Sequence, residues 1–299
     1  MTTRAVVKRQ PGSSLGSLLD EARQRLDAAG ITSADREAAW LIQHALGLVS
    51  SGQLLDRTRR LDEQELTKVN AAVSRRVARE PLQYILGTQE FCGLEFEVNS
   101  AVLIPRPETE LLVQEVIRRL PQGVRAIVVD VGTGSGCVAV TLARALSSAI
   151  ILATDVSPHA LETAKANARR HRVDADIRWF EGDLLAPLGA VCREGAVTAI
   201  VANPPYISES EWSGLQPEVG RYEPRVALVA GPSGVEIHER LLDEAASYLA
   251  PGGFLAMEIG QGQSVHIRKK IKRMSVYKGV EVVPDEAGID RIMIVERSR

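Results

Sequence analysis

Residues 126–145 read AIVVDVGTGSGCVAVTLARA, and this stretch decides the fold. Ala126–Val131 is a short apolar, β-branched run, the pattern of a buried strand. Gly136–Ala145 reads as a helix. Between them fall Gly132, Gly134 and Gly136 in a GxGxG spacing headed by Asp130. Glycines let the chain turn tightly and let backbone N–H groups approach a ligand closely. A strand that turns through glycines into a helix is the opening unit of a parallel α/β sheet.

Downstream the alternation continues. Strands are expected at Ala149–Thr154, Ile177–Phe180, Val197–Ala202 and Phe254–Ile259, with helices at Ala160–Arg170 and Val235–Leu249. Such alternation builds a parallel sheet with helices on both faces. Val280–Val283 and Arg291–Val295, joined by PDEAGID, predict a hairpin at the sheet edge. Upstream, three amphipathic stripes predict a small helical bundle: Leu15 to Leu26, Ala38 to Ala45 after Ser33, and Leu66 to Val77 after Asp62. Residues 82–104, punctuated by Gly87 and Gly93, predict a β-hairpin linker. Glu108 and Glu110 then precede a helix expected at Leu111–Leu120, where carboxylates suit the positive end of the dipole. The expected division is a flexible tail over 1–13, a helical domain over 14–80, a hairpin linker over 81–110 and an α/β domain over 111–299.

In open α/β sheets ligands sit at the carboxyl ends of the strands, and the chain places polar groups there. Asp155 ends the second strand about twenty residues past Gly136, where a carboxylate can accept both hydroxyls of a ribose. Asp183 follows the third strand and can receive an adenine amino proton, with Leu184 against the ring. Asn203-Pro204-Pro205-Tyr206 follows the fourth. Its two prolines remove two backbone donors and stiffen the loop. Asn203 offers a carbonyl acceptor and an NH2 donor, and Tyr206 a flat ring. Acceptors beside an aromatic face suit a planar NH2 group, either a carboxamide or the amino group of a base. Two cofactor classes fit a ribose-binding acid. A dinucleotide would want GxGxxG, to set a pyrophosphate on the helix N-terminus. The GxGxG run headed by Asp130 instead suits the ammonium of an amino-acid moiety, and so favours S-adenosylmethionine over NAD.

Composition narrows the field further. A net charge of −2 carries no nucleic-acid signal, and the first 80 residues hold 13 basic and 10 acidic side chains, too small an excess to read. Cys92, Cys137 and Cys192 lack metal-ligand spacing and read as reduced thiols, and the five histidines predict no metal. No apolar run is long enough to span a bilayer, so a cytoplasmic protein is expected. Phe91 and Phe96 are expected in hairpin packing, Arg106 and Glu108 near the pocket floor, and His171 and His238 on exposed helix faces. Cys137 reads as a small buried residue without a base beside it.

The motifs PLQYILG (81–87), FCGLEFEV (91–98), LIPRPETE (103–110), DVGTGSG (130–136), NPPY (203–206) and EPRVAL (223–228) resemble the protein-(glutamine) methyltransferases of peptide-chain release factors. The resemblance implies a seven-stranded class I, Rossmann-like methyltransferase sheet behind the helical N-terminal domain. It implies methyl transfer from S-adenosylmethionine to the glutamine of a Gly-Gly-Gln tip on class 1 release factors, by a chain expected to be monomeric. Asp130, Gly132, Thr133, Gly134, Ser135, Gly136, Asp155, Asp183, Leu184 and Asn203 would then contact or border the cofactor. Asn203, Pro204, Pro205 and Tyr206 would hold the substrate amide, with the Asn203 side-chain oxygen and the Pro204 carbonyl each accepting from its NH2. NPPY also occurs in methyltransferases of adenine or cytosine in nucleic acid, which leaves that reaction as the alternative. A silent module that keeps the cofactor pocket is a third reading.

Overall fold

The computed structural model describes residues 14–120, 123 and 125–299. The tail expected over 1–13 lies outside the described residues. The chain divides into two compact units.

The first unit runs to Gly87 and includes Pro217–Tyr222. It contains α1 (Leu15–Ala28), α2 (Ala34–Leu46), α3 (Glu63–Val77) and α4 (Leu82–Leu86). Asp62 starts α3 as expected, whereas Ser33 precedes α2 without making a side-chain cap bond. Ser14 accepts from the Ser17 N–H, and Asp62 and Glu65 close a reciprocal capping box on α3. The three/four spacing lines up Leu15, Leu18, Leu26, Leu41, Ile42, Val69 and Val73 as one apolar core. At its margin Arg76 is buried between two carboxylates, Glu37 at 2.5 Å and Glu218 at 2.9 Å. PLQYILG, expected in the linker, is instead helical. Gly87 ends α4 at φ +79°, a left-handed C-cap that glycine takes without strain.

The second unit opens with a hairpin, β1 (Thr88–Phe91) and β2 (Leu94–Glu97). Its two-residue turn puts Cys92 and Gly93 at φ +50° and +72°, the handedness that suits a tight hairpin. Phe91 and Phe96 meet edge-to-face and are buried, as hairpin packing required. Next come α5 (Pro107–Arg119), β3 (Ile127–Val131), α6 (Cys137–Ala145), β4 (Ile150–Asp155), α7 (Pro158–Arg170), β5 (Ile177–Glu181), β6 (Val197–Ala202) and β7 (Ile207–Ser208). After α8 (Pro217–Tyr222) of the first unit follow β8 (Val229–Gly231), α9 (Glu236–Tyr248), β9 (Leu249–Glu258), α10 (Ser264–Ile271), β10 (Tyr277–Pro284) and β11 (Asp290–Arg297). Helix α5 begins four residues before the expected start, because Pro107 sits at its first turn, where a missing N–H costs nothing.

Seven strands form one sheet in the order β10-β11-β9-β6-β3-β4-β5. β9, β6, β3, β4 and β5 run parallel, and the terminal hairpin adds β11 and β10 antiparallel. Alternate residues feed the two faces. Val128, Ala199, Val201 and Ala256 point to the layer of α5, α6 and α7, while Val129, Ile200, Leu255 and Met257 point to that of α9 and α10. Both faces are covered, which is why these strands read as continuous apolar runs.

His238 corrects an expectation. It lies on the buried stripe of α9 with no exposed surface, and its Nε2 is 2.9 Å from the Glu258 carbonyl, to which it donates. The stripe Leu241, Leu242 and Ala245 sets the facing side of the helix, and His238 is one turn back on it. His171 caps α7, half-buried against the Phe96 ring. Burial pushes His238 down to about 4 from 6.5. Because the folded value is the lower one, its contribution to stability is complete above about 6.5 and is lost as pH falls toward 4. Its ring resonances should therefore hold still from pH 8 to 5.5 in an NMR titration; a midpoint near 6.5 would contradict this packing.

Candidate active site

The carboxyl ends of β3, β4, β5 and β6 border one cleft, whose empty space, counting its solvent-open mouth, is about 1090 Å³. Asp130, Gly132, Thr133, Gly134 and Ser135 line it from the β3 turn, Asp155 from β4, Asp183 and Leu184 from β5, and Asn203 and Pro205 from β6.

The glycines of the β3 turn do two jobs. Gly132 and Gly134 stand at φ +70° and +56°, and a Cβ on Gly132 would meet nothing within 4 Å. They hold a left-handed turn open toward the cleft. A Cβ on Gly136 would come within 3.0 Å of Ala164 on α7, so the third glycine serves close helix packing. Around them the polar groups are tied down. Asp130 Oδ2 accepts from Thr133 Oγ1 at 2.6 Å and from the Ala139 N–H at 3.1 Å. Asp155 accepts from the Gly134 N–H at Oδ2 and from the Ser157 N–H at Oδ1, both at 2.9 Å. Burial pushes the Asp130 carboxyl up to about 7 against the pull of those two donors, and raises Asp155 as well.

This donor set fits S-adenosylmethionine. The open glycine cradle, a carboxylate at the tip of β4 and a second beneath the turn match a ribose and an ammonium. The Ser135 hydroxyl, buried in the same lining, has no stronger partner than the neighbouring Cys137 thiol. Leu184 adds a further sign. It is a non-glycine residue at φ +46°, a strained conformation that presses its side chain on the cleft. Asp183 is less free than expected. It lines the cleft half-exposed, and its Oδ2 accepts from Arg240 at 2.5 Å. That guanidinium would compete with an adenine amino group for the carboxylate.

The NPPY loop is held from two sides. Gln263 donates from Nε2 to the Tyr206 carbonyl at 2.8 Å and to the Gly234 carbonyl at 3.0 Å, while its Oε1 accepts from the Gly260 N–H at 2.8 Å. Asn203 donates from Nδ2 to Thr109 Oγ1 at 2.9 Å, and Thr109 Oγ1 donates to Glu258 Oε2 at 2.7 Å. Asn203 and Pro205 face the cleft. Pro204 is buried, and Tyr206 lies outside the cleft lining, among Glu258, Arg291, Arg106 and Glu108. Burial there pushes the Tyr206 hydroxyl up to about 12, so it stays protonated at neutral pH.

Several residues of this arrangement were not visible in the pattern. Asn167 is fully buried on α7 and donates to the Ser135 and Glu97 carbonyls while accepting from the Glu97 N–H, which stitches β2 to the glycine turn. Glu223 accepts from Arg106 at 2.5 Å and from the Ile104 N–H, joining the 103–110 and 223–228 segments. Thr109 stood inside LIPRPETE as an ordinary first-turn residue. Glu258 had one signal: it is the lone charge closing the apolar run FLAME.

Known proteins resemble this chain over most of its length. Residues 17–87 match the PrmC N-terminal domain family, and residues 107–215 match the methyltransferase small domain family. A release factor glutamine methyltransferase of Geobacter sulfurreducens is 42% identical over 280 residues, covering 94% of this chain and 95% of that protein. One of Moorella thermoacetica is 42% identical over 289 residues, covering 95% and 99%. Among solved structures, a methyltransferase from Pyrococcus furiosus superposes with TM-score 0.51 at 20% identity, covering 77% of this chain and 98% of that one. The hMettl16 catalytic domain does so with TM-score 0.53 at 15%, covering 81% and 84%. These two share the fold.

Replacing Asp155 by alanine should weaken S-adenosylmethionine binding about tenfold or more, ~1.4 kcal/mol, in isothermal titration. Unchanged affinity would remove Asp155 from the cofactor site.

Proposed function

The chain belongs to the release factor glutamine methyltransferase family, and from that premise we propose that it methylates the side-chain amide nitrogen of the glutamine in the Gly-Gly-Gln segment of class 1 release factors. The observation that carries the reading is the shared cleft: the glycine turn and the Asn203 amide border one hollow from neighbouring strand tips.

Bound in the cleft, S-adenosylmethionine supplies an electrophilic methyl group on a positively charged sulfur. The protein's own residues do the rest. Gly132 to Ser135 with Asp130 cradle the amino-acid moiety, Asp155 takes the ribose, and Leu184 with Asp183 borders the adenine, while Gly136 serves the packing on α7. A carboxamide nitrogen is a poor nucleophile, because its lone pair is shared with the carbonyl. Asn203 Oδ1 and the Pro204 carbonyl each accept one hydrogen bond from the substrate NH2, which fixes its plane and draws electron density onto nitrogen. Tyr206, next to the cleft lining, is the flat ring assigned to pack on the amide. Orientation of this kind can supply several of the roughly 7–11 kcal/mol available to ideal positioning. No strong base is required. The Tyr206 hydroxyl stays protonated, and the substrate N–H becomes acidic as positive charge develops, so water can take it.

The first unit is assigned to docking the release factor. It exposes Trp40 by 46%. Both units lie in one chain, so a monomer suffices. No helix among the described residues is long and apolar enough to cross a membrane; a release-factor substrate supports a cytoplasmic reaction.

An amino group of adenine or cytosine would also fit NPPY. Full-length similarity to glutamine methyltransferases, at 42% identity, weighs for the amide. Incubation with radiolabelled S-adenosylmethionine and either a release factor or DNA separates the two: label should enter the release factor, and label in DNA alone would replace this reading. Asn203→Ala should lower kcat by about 100-fold or more with the fold intact; a near-normal single-turnover rate would take Asn203 out of the mechanism.

A further inference from the structure

We infer that Thr109 and Glu258 are positioning residues that set which way round the Asn203 carboxamide faces, through the one-directional chain Asn203 Nδ2–H to Thr109 Oγ1 and Thr109 Oγ1–H to Glu258 Oε2. The inference deepens the glutamine reading and rests on it for its kinetic arm.

An asparagine amide is nearly symmetric in shape, and its two ends differ only in hydrogen bonding. If Nδ2 faced the substrate, two donors would oppose each other and the amide would be repelled. Something must break the symmetry. Oδ1 and Nδ2 are branches of one plane, so whichever group binds one branch assigns the other to the ligand. Here the group is a hydroxyl, which can either donate or accept. A hydroxyl alone would therefore leave the flip undecided. Glu258 decides it, because a carboxylate only accepts. The Thr109 proton must go to Glu258, its oxygen is left as an acceptor, and Asn203 can answer only with Nδ2–H. Oδ1 is then the branch turned away from Thr109.

The three residues come from three elements. Asn203 follows β6, Glu258 ends the neighbouring β9 and Thr109 sits in the first turn of α5. Thr109 and Glu258 are 2% and 1% exposed, so water has little access to substitute for either. Other groups around Glu258 do not duplicate the role. His238 binds its backbone carbonyl, and Glu108, Arg106 and Arg291 act on it through charge. Burial, with Glu108 adding to it, pushes Glu258 up to about 7 against the Thr109 bond and the two arginines. At pH 8 the carboxylate prevails and the chain has a single sense.

The test is run at pH 8 on the full chain. Thr109→Val keeps the shape and removes the hydroxyl; it should lower kcat by roughly 10–100-fold, with KM for the release factor and S-adenosylmethionine affinity within about twofold of wild type. Thr109→Ser restores the hydroxyl and should recover kcat to within about threefold. Glu258→Gln, which adds a donor that can reverse the chain, should lower kcat in the same way without changing cofactor affinity. The Asn203 side-chain amide is followed by 15N NMR in the free protein. Its exchange with solvent should be slow in wild type and Thr109→Ser and faster by tenfold or more in Thr109→Val. Wild-type kcat in Thr109→Val, a serine variant as slow as valine, or unaltered Asn203 exchange would each overturn the inference. The exchange arm needs no substrate. A wild-type enzyme that fails to label the release factor while Asn203 exchange responds as expected would sink the glutamine reading and leave the relay standing. Should Thr109→Val not fold, Glu258→Gln carries the kinetic arm, and a wild-type kcat there would overturn the inference.

Discussion

Register in the parallel sheet is the constraint on which the rest depends. Val131 pairs with Thr154 on one side and with Ala202 on the other, so β3, β4 and β6 end at nearly the same level. Each strand is buried on both faces, and a slip of one residue would turn its side chains into the wrong layer. The register is therefore held by two hydrophobic cores at once. Because it is held, the glycine turn, Asp155 and Asn203 emerge along one edge. None of them is close to the others in sequence. Their convergence is a by-product of packing Val128, Val129, Ile200 and Val201 correctly.

On that edge the loops are fastened by side chains that compete for backbone groups. Asn167 and Gln263 play matching parts. One ties the glycine turn to the hairpin, and the other ties the NPPY loop to Gly234 and Gly260. Each satisfies buried donors and acceptors that irregular backbone would otherwise leave unpaired. The same logic runs through Asp130 and Asp155, whose carboxylates fold the turn before they meet any ligand. Loop stiffness at the strand tips thus comes from hydrogen bonds, with the prolines of NPPY removing what freedom remains. A rigid acceptor set suits chemistry that depends on orienting a weak nucleophile.

The helical unit shows a different balance. Its core is aliphatic, and the polar feature at its margin is Arg76 with Glu37 and Glu218. Glu218 comes from a segment far along the chain, between β7 and β8. Burying a guanidinium is costly unless it is fully paired. Arg76 and Arg79 therefore hold that distant segment to the unit, through Glu218, in one arrangement.

Reading residues alone established much of this. The strand, glycine turn and helix over 126–145, the β–α alternation, the N-terminal helices and the edge hairpin all follow from local spacing, because periodicity acts within a few residues. So did Asp155 and Asn203, since strand tips are legible wherever an apolar run stops. Local pattern failed where a residue's role depends on what lies across from it. PLQYILG carries apolar and aromatic residues that serve a strand or a short helix equally, and the packing of Ile85 decides. His238 looks like any polar helix residue until the face of α9 is known. Thr109 and Glu258 are 149 positions apart, and only the sheet brings a hydroxyl and a carboxylate to 2.7 Å beside Asn203. Sequence determined which groups are available at the strand ends; tertiary structure decided which of them touch, because hydrogen bonding requires a distance and a direction that no spacing along the chain encodes.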